Sequence, residues 1–294
     1  MLAIDKGSLS AAAIALGVTG SAVGKSISRL EARLGVQLLH RTTRRIDLTR
    51  EGEAYLLSCR RILEELDQTE SFLATGQREP VGRLRVDLPT TFGRRHVVPA
   101  LLALAARHAR LDLSISLRDQ PVDMVAQGSD LAVRIGALAD YPDLVARRLG
   151  EQRLVICAAP GYLARKGAPL DVIDLALHDC LVGWQRGARP SWLLKDRHGA
   201  VERHEIRARH ELTDGDALLG ACIGGAGLAQ LPTWLAGDAI RTGALTQVLP
   251  ELSGASMPIH VVWQKTWHLH TRVRVAVDTL TELAASRPDI FDAA

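Results

Sequence analysis

Over the first fifty residues the apolar positions fall at helical intervals. Leu9, Ala12, Ala13 and Leu16 recur at steps of three and four, with Ser8 or Ser10 placed to cap the helix start and Gly17 to turn its end. Thr19 is placed to cap a second helix, whose stripe Val23, Ile27, Leu30 and Leu34 predicts a buried side running to Gly35. The opposite side carries Ser21, Gly24, Lys25, Ser28 and Arg29. Two short helices around a tight turn, the second small, polar and basic on its outer face, predict a helix-turn-helix that lays a recognition helix in the major groove of double-stranded DNA. Between Leu38 and Thr49 a basic, threonine-rich turn separates two short apolar segments able to pair as strands, which predicts a wing. Its candidates for phosphate contact are Arg41, Thr42, Thr43, Arg44 and Arg45.

From Gly52 the pattern becomes one long helix with a seam of Leu56, Cys59, Leu63, Leu66 and Leu73, interrupted by Glu70. Such a seam suits pairing between two subunits, with packing against its own domain as the other reading. Residues 76–82, with Pro80 and two glycines, read as a hinge. Farther on, short β-like runs alternate with helical ones: Leu84–Leu88, Val97–His108, Leu113–Leu117, Val122–Gln127 and Leu131–Ile135. That alternation predicts α/β units around a mostly parallel sheet. Two extended apolar runs, Leu154–Ala159 and Pro258–Gln264, are the predicted crossings between two subdomains. The predicted organisation is therefore a DNA-binding domain over 1–52 and a dimerisation helix with hinge over 53–82. A ligand-binding body follows over 83–294, its subdomain I being 83–159 plus 259–294 and its subdomain II 160–258.

A cleft between two such subdomains would lie beyond the carboxyl ends of the strands. Thr90 and Thr91, where a first strand ends and a helix opens, are candidates to hold an anionic group, or else simply cap that helix. Arg134 either contacts the ligand or forms an ion pair with Asp130 or another carboxylate, and Gly136 permits close approach. Thr213 leads Asp214, Gly215 and Asp216 into a helix of the second subdomain.

Composition narrows the class. A length of 294 residues suggests about two domains, and 47% hydrophobic with 23% charged residues excludes a disordered or fibrous chain. The apolar runs fall short of the roughly 20 residues that span a bilayer, and the N-terminus lacks the apolar core of a secretory leader, so a cytoplasmic protein without a membrane partner is expected. Net charge is only +3, but residues 1–56 hold eight basic and five acidic side chains, the whole of that excess. A basic head on a neutral body is the footprint of a phosphate-binding module. Cys59, Cys157, Cys180 and Cys222 stand far apart and read as core thiols, and His268 with His270 has no recognisable third ligand, so no metal is expected. No phosphate loop, nucleophile elbow or zinc-hydrolase motif is present, so neither an enzyme nor a cofactor is expected. A solute-binding protein would account for the body but not for the basic head, and a small-molecule enzyme would need a reactive site the sequence does not display.

Two stretches carry a resemblance: G-S-L-S-A-A-A-x-x-L-G-V from Gly7, then S-A-V-x-K-x-I-x-x-L-E-x-x-L-G-V-x-L-L-x-R-T-T-R-R-x-x-L-T-x-x-G ending at Gly52. The order strongly resembles the LysR-type transcriptional regulator family. The likeness continues in F-G-R-R-H-V-V-P-A-L (92–101), D-L-A-V-R-I-G (130–136), A-R-R-L (146–149), H-D-C-L (178–181) and G-x-G-L-A-x-L-P (225–232). It implies a winged helix-turn-helix, a dimerising linker helix and an effector domain similar to periplasmic binding proteins, assembled as a homodimer or homotetramer and answering a small-molecule effector. The sequence departs from the family pattern in two places: the helix before Gly7 is shorter by a turn or two, and Gly24 stands where a serine is common. Glycine there costs a helix about 1 kcal/mol relative to alanine.

Overall fold

The computed structural model describes residues 1–41, 46–75, 79–119, 124–138, 142–183, 189–196, 198–265 and 270–291. The chain separates into two compact units, residues 1–77 and 78–294.

The first unit begins with α1 (Leu2–Asp5), α2 (Leu9–Leu16) and α3 (Gly20–Leu34). Ser8, not Ser10, caps α2 by accepting the Ala11 N–H at 3.1 Å, and Thr19 caps α3 by accepting that of Ala22 at 3.2 Å. Gly17 and Gly35 end these helices at φ 65° and 72°, left-handed backbone that glycine adopts without strain. Between α2 and α3 the chain bends by 106°. Strands β1 (Leu39–Arg41) and β2 (Ile46–Leu48) pair antiparallel, Leu39 opposite Leu48, and α4 (Arg50–Thr75) follows. Thr49 joins the pieces: its hydroxyl donates to Gln37 O at 2.7 Å and accepts the Gly52 N–H at 2.9 Å. A Cβ on residue 52 would lie 1.9 Å from Leu38 O, so only glycine fits.

Packing in this unit differs from the predicted stripes. Ala3, Ala12, Ala13, Val23, Leu38 and Leu39 are buried, whereas Leu16 and Leu34, expected inside, are 53% and 38% exposed. Both lie at the last residue of their helix, where the αL glycine turns the chain away and no neighbour covers them. Of the α4 seam, Leu56 and Cys59 are half-buried and Leu63 and Leu66 exposed, as is Ile62 beside them; the Leu73 side chain lies outside the described residues.

The second unit opens with β3 (Gly82–Leu88) and α5 (Thr90–Phe92), which runs through a π-helical turn (Gly93–Val97) into α6 (Val98–Arg107). Then come β4 (Leu111–Leu117), α7 (Met124–Gln127), β5 (Leu131–Ile135), the long β6 (Leu144–Ala158) and α8 (Pro160–Lys166). After a 3-10 turn (Val172–Leu177) follow β7 (Cys180–Val182), β8 (Ser191–Lys195), β9 (Val201–Glu205), β10 (Ala208–Glu211) and α9 (Gly215–Ile223). The chain closes with β11 (Leu228–Pro232), α10 (Thr233–Arg241), β12 (Thr246–Val248), β13 (Ser256–Gln264), α11 (Thr271–Ser286) and α12 (Pro288–Phe291).

Nine of these strands form one sheet in the order β10-β7-β11-β6-β13-β5-β3-β4, with β12 also on β6. The expected mostly parallel sheet is parallel only at its flanks, where β3 joins β4 and β5, and β7 joins β10 and β11. At the centre β6 and β13 pair antiparallel with each other and with their neighbours, because each returns the chain from one lobe to the other. The crossings lie earlier than the apolar runs suggested. Gln152 and Arg153 still face β13, whereas Leu154–Cys157 already pair with β11; the return passes Gly254 and Ala255 into β13. Val155–Ala159 thus belong to the core of lobe II, and residues 256–258 lie on the lobe I strand. An apolar run marks a strand interior buried on both faces, and the chain changes lobes where the run stops.

Each lobe has its own core. Leu84, Val86, Leu88, Leu101, Val133, Ile259, Val261 and Leu280 fill lobe I; Ile156, Tyr162, Leu181, Leu218, Leu228, Leu231 and Leu235 fill lobe II. Cys157, Cys180 and Cys222 are fully buried in the second; the contact with Cys222 and burial push the Cys157 thiol upward, and burial pushes that of Cys180 up to about 12. Trp234 touches both cores. Its ring meets Phe92 and His96 edge to face, at centroid distances of 5.4 and 5.1 Å, and Phe92 meets Phe291 at 5.6 Å.

His96 gives this junction a pH dependence. Its Nε2 is buried without a hydrogen-bond partner among the described residues, and burial, then Arg287 and Arg95, lower its pKa to about 4. The unfolded chain therefore takes up the proton first, and stability falls as pH drops from about 6.5 to about 4. With solvent screening of the half-buried ring, the expected share of His96 in that loss is on the order of 1 kcal/mol between pH 7 and pH 5. Calorimetric melting of wild type and His96→Gln across that range checks it: the variant has the shallower slope, and equal slopes refute the assignment.

Candidate DNA-binding and effector-binding sites

On α3 the side chains of Ser21, Lys25, Ser28 and Arg29 are all exposed, spaced 4, 3 and 1 along one side, while Val23 is buried and Ile27 and Leu30 half-buried beneath. That face is small at Ser21, Gly24 and Ser28, so the helix backbone can approach a groove closely. No side chain needs the space at Gly24, where an added Cβ would come no nearer than 3.9 Å to Leu9. Glu31, one turn farther on, was not a sequence candidate. Its Oε1 accepts the N–H groups of Leu38 and Leu39 at 2.9 and 3.2 Å, binding the helix to the first strand of the wing. Thr42, Thr43, Arg44 and Arg45, with the Arg41 side chain, lie outside the described residues.

In the second unit Thr90, Thr91, Arg134 and Gly136 follow or end the parallel strands of lobe I, and Thr213 precedes α9 of lobe II. Thr90 does not cap α5 with its hydroxyl; its N–H donates to Asp119 Oδ1 at 2.9 Å. Thr91 is buried and reaches across to lobe II, where its Oγ1 accepts the Gly215 N–H at 3.0 Å. Arg134 is in an ion pair, with Asp87 rather than Asp130: Nη2 lies 2.9 Å from Asp87 Oδ2. Arg118 holds the other oxygen of that fully buried carboxylate through Nε at 3.1 Å. Asp130 is taken by Arg272, both buried, and accepts the Arg85 N–H at 2.9 Å; burial raises its pKa against the opposing pull of Arg272. Gly136 has φ 99° and donates its N–H to Pro258 O at 2.8 Å, with Met257 Cε 3.1 Å from where a Cβ would stand. Thr213 is exposed beside Asp214, which caps α9 by accepting the Ala217 N–H at 2.9 Å. That N–H and then Arg94 keep the Asp214 carboxylate below its ordinary range.

Sequence reasoning missed several residues that meet here. Arg94 pairs with Asp214 and Asp216, and Arg95 with Asp216. Trp234 Nε1 donates to Gln152 Oε1 at 2.9 Å, on the strand that crosses between lobes. The Arg-Arg pair and the Asp-Gly-Asp triplet were visible as charges, but 120 residues separate them and no local pattern says that they meet. Among the described residues no group of three or more His, Cys, Asp or Glu side chains could hold a metal ion, and no helix is long and apolar enough to cross a membrane by itself. His268 lies outside the described residues.

Both units match known families. Residues 2–53 match the bacterial regulatory helix-turn-helix protein of the lysR family, and residues 77–285 match the LysR substrate binding domain. The chain is 35% identical to the HTH-type transcriptional regulator DmlR of Escherichia coli, over 97% of this chain and 92% of that one. It is 34% identical to an HTH-type transcriptional repressor of Pseudomonas aeruginosa, over 98% and 90%. Among solved structures, CrgA, a LysR-type transcriptional regulator from Neisseria meningitidis, superposes with a TM-score of 0.63 at 31% identity, covering 96% of both chains. The Vibrio cholerae virulence activator AphB shares the fold, with a TM-score of 0.61 at 24% identity and 96% coverage of both. A helix-turn-helix head and a two-lobed α/β body, matched together along nearly the whole chain, place this protein in the LysR family as a DNA-binding transcriptional regulator with an effector-binding domain.

Proposed function

We propose that α3 is the recognition helix, with Lys25 and Ser28 reaching base edges, Ser21 meeting phosphate near the helix start, and Arg29 beside them. The observation that carries this is the exposure of all four on one side of a helix whose other side is packed. Arg41, Thr42, Thr43, Arg44 and Arg45 of the wing hold the flanking backbone. The protein works in the cytoplasm, where duplex DNA is, by binding rather than by turnover, as relatives named as transcriptional regulators suggest.

Two copies pair through α4, whose Ile62, Leu63 and Leu66 are 62%, 46% and 52% exposed, and pairs assemble into a tetramer. Pairing sets two recognition helices against two half-sites. The effector is a small molecule received between the lobes of the body, beside Thr90, Thr91, Gly136 and Thr213, with Arg134 acting through the Asp87 ion pair.

Three measurements follow. A duplex selected from a random pool is expected to lose about 1–3 kcal/mol of affinity for Lys25→Ala while random DNA loses much less, read by fluorescence anisotropy; equal losses would reduce Lys25 to a backbone contact. On the same duplex Arg44→Ala should flatten the slope of log affinity against log salt by about one, and an unchanged slope removes Arg44 from the phosphate contacts. Leu63→Asp with Leu66→Asp should shift the sedimenting species to smaller mass without changing the circular dichroism of the fold, whereas unchanged mass would exclude α4 as the pairing surface.

A further inference from the structure

The contacts between residues 91–96 and residues 214–216 and 234 join the two lobes through side chains and one backbone N–H, that of Gly215. We propose that they form a latch that holds the lobes closed in the unliganded protein, so that lobe opening is governed by Thr91, Arg94 and Arg95 against Asp214, Gly215 and Asp216. The latch stands on geometry in the body itself; only its use in sensing rests on the cleft being the effector site.

Each part of the latch is built for the other. The first N–H groups of a helix have no partner within it, and the Gly215 N–H finds one in the Thr91 hydroxyl of the opposite lobe, at 3.0 Å. The approach requires glycine, because a Cβ on residue 215 would lie 2.9 Å from Thr91 Oγ1. Asp214 is divided: Oδ1 caps its own helix at Ala217, while Oδ2 faces lobe I, 3.5 Å from Thr91 Oγ1 and 3.3 Å from Arg94 Nη2. Asp216 offers one oxygen to Arg94 and the other to Arg95. Consecutive arginines on a regular helix diverge by about 100°; here both stand on the π-helical turn and reach the same carboxylate. That turn packs so closely on β3 that a Cβ on Gly93 would lie 2.5 Å from Leu88 Cβ. Two guanidinium groups and two carboxylates balance, so closure leaves no net charge at the contact.

The latch is also releasable. The four charged side chains are 31–47% exposed, in the range where an isolated ion pair is weak and screened by salt. Several sharing partners act together, yet water and solutes can compete for each of them. The backbone connection between lobes consists of two strands only, β6 and the return into β13. Opening therefore separates this cluster together with the Trp234 contact on Phe92 and His96, while the rest of each lobe core stays within its own lobe.

Hydrogen-deuterium exchange of the full chain, without DNA or effector, tests this. In Asp216→Lys the peptides covering 89–97 and 213–220 should exchange about tenfold faster than in wild type, while β3 and β11 exchange unchanged. Adding Arg95→Glu alone to Asp216→Lys keeps Arg94 on Asp214 and the cluster neutral, and should bring both peptides back to within about threefold of wild type. Thr91→Val removes the uncharged contact at nearly constant shape and should speed 213–217 alone, so the test survives a fold defect in the charge variants. Wild-type exchange at both peptides in Asp216→Lys and Thr91→Val overturns the latch, as does failure of the charge swap to restore protection while β3 and β11 stay protected. A promoter reporter carrying the same variants separates the two readings: altered exchange with an unaltered response keeps the latch and removes the cleft as the sensor.

Discussion

The body of this protein is organised by one constraint, the passage of β6 and β13 side by side through both lobes. β6 pairs with β13 over its first ten residues and with β11 and β12 over its last five, so a single strand belongs to two cores. Two glycines, one on β6 and one on the return into β13, admit no side chain without a shift of their neighbours. A Cβ on Gly150 would lie 1.9 Å from Phe291 O, and one on Gly254 would lie 2.9 Å from Arg153 Nε. Because the crossing strands are antiparallel to their neighbours while the flanking strands are parallel, the segment that follows β3 in lobe I meets the segment that follows β10 in lobe II.

Electrostatics serve different ends inside and at the rim. Asp87 and Asp130 are 1% and 0% exposed and each is held by arginine, Asp87 by two and Asp130 by Arg272. A buried carboxylate without its partner would cost several kcal/mol, so these pairs bind β3, β4, β5 and α11 into one arrangement more than they add stability. At the rim Arg94, Arg95, Asp214 and Asp216 remain in contact with water. The first set specifies lobe I; the second joins lobe I to lobe II and can be undone.

The head is made from small parts. Its buried apolar residues include three alanines, and its integrity depends on polar joints: Glu31 to the strand at Leu38 and Leu39, and Thr49 between Gln37 and Gly52. A core of that size leaves apolar surface open at Ile14, Leu16 and along α4 at Ile62, Leu63 and Leu66.

The sequence by itself determined the elements. Capping residues and apolar spacing placed α2 and α3, the succession of strand-like and helical runs placed β5, and exposure of the Ser21, Lys25, Ser28 and Arg29 side of α3 followed from the stripe opposite it, because helix and strand periods are local properties. The motifs from Gly7 to Gly52 and through the body carried the family in the same way. What only the tertiary structure decided is every pairing between distant segments. Arg134 finds Asp87, not Asp130, because β3 and β5 lie adjacent in the sheet while Asp130 is met by α11 from far down the chain. Arg94 and Arg95 meet Asp216 across 120 residues, and the crossings move off the apolar runs to the places where those runs stop. Leu16 and Leu34 carry helical apolar spacing and are still exposed, since a period states which side a residue occupies and only the neighbours present decide whether that side is covered.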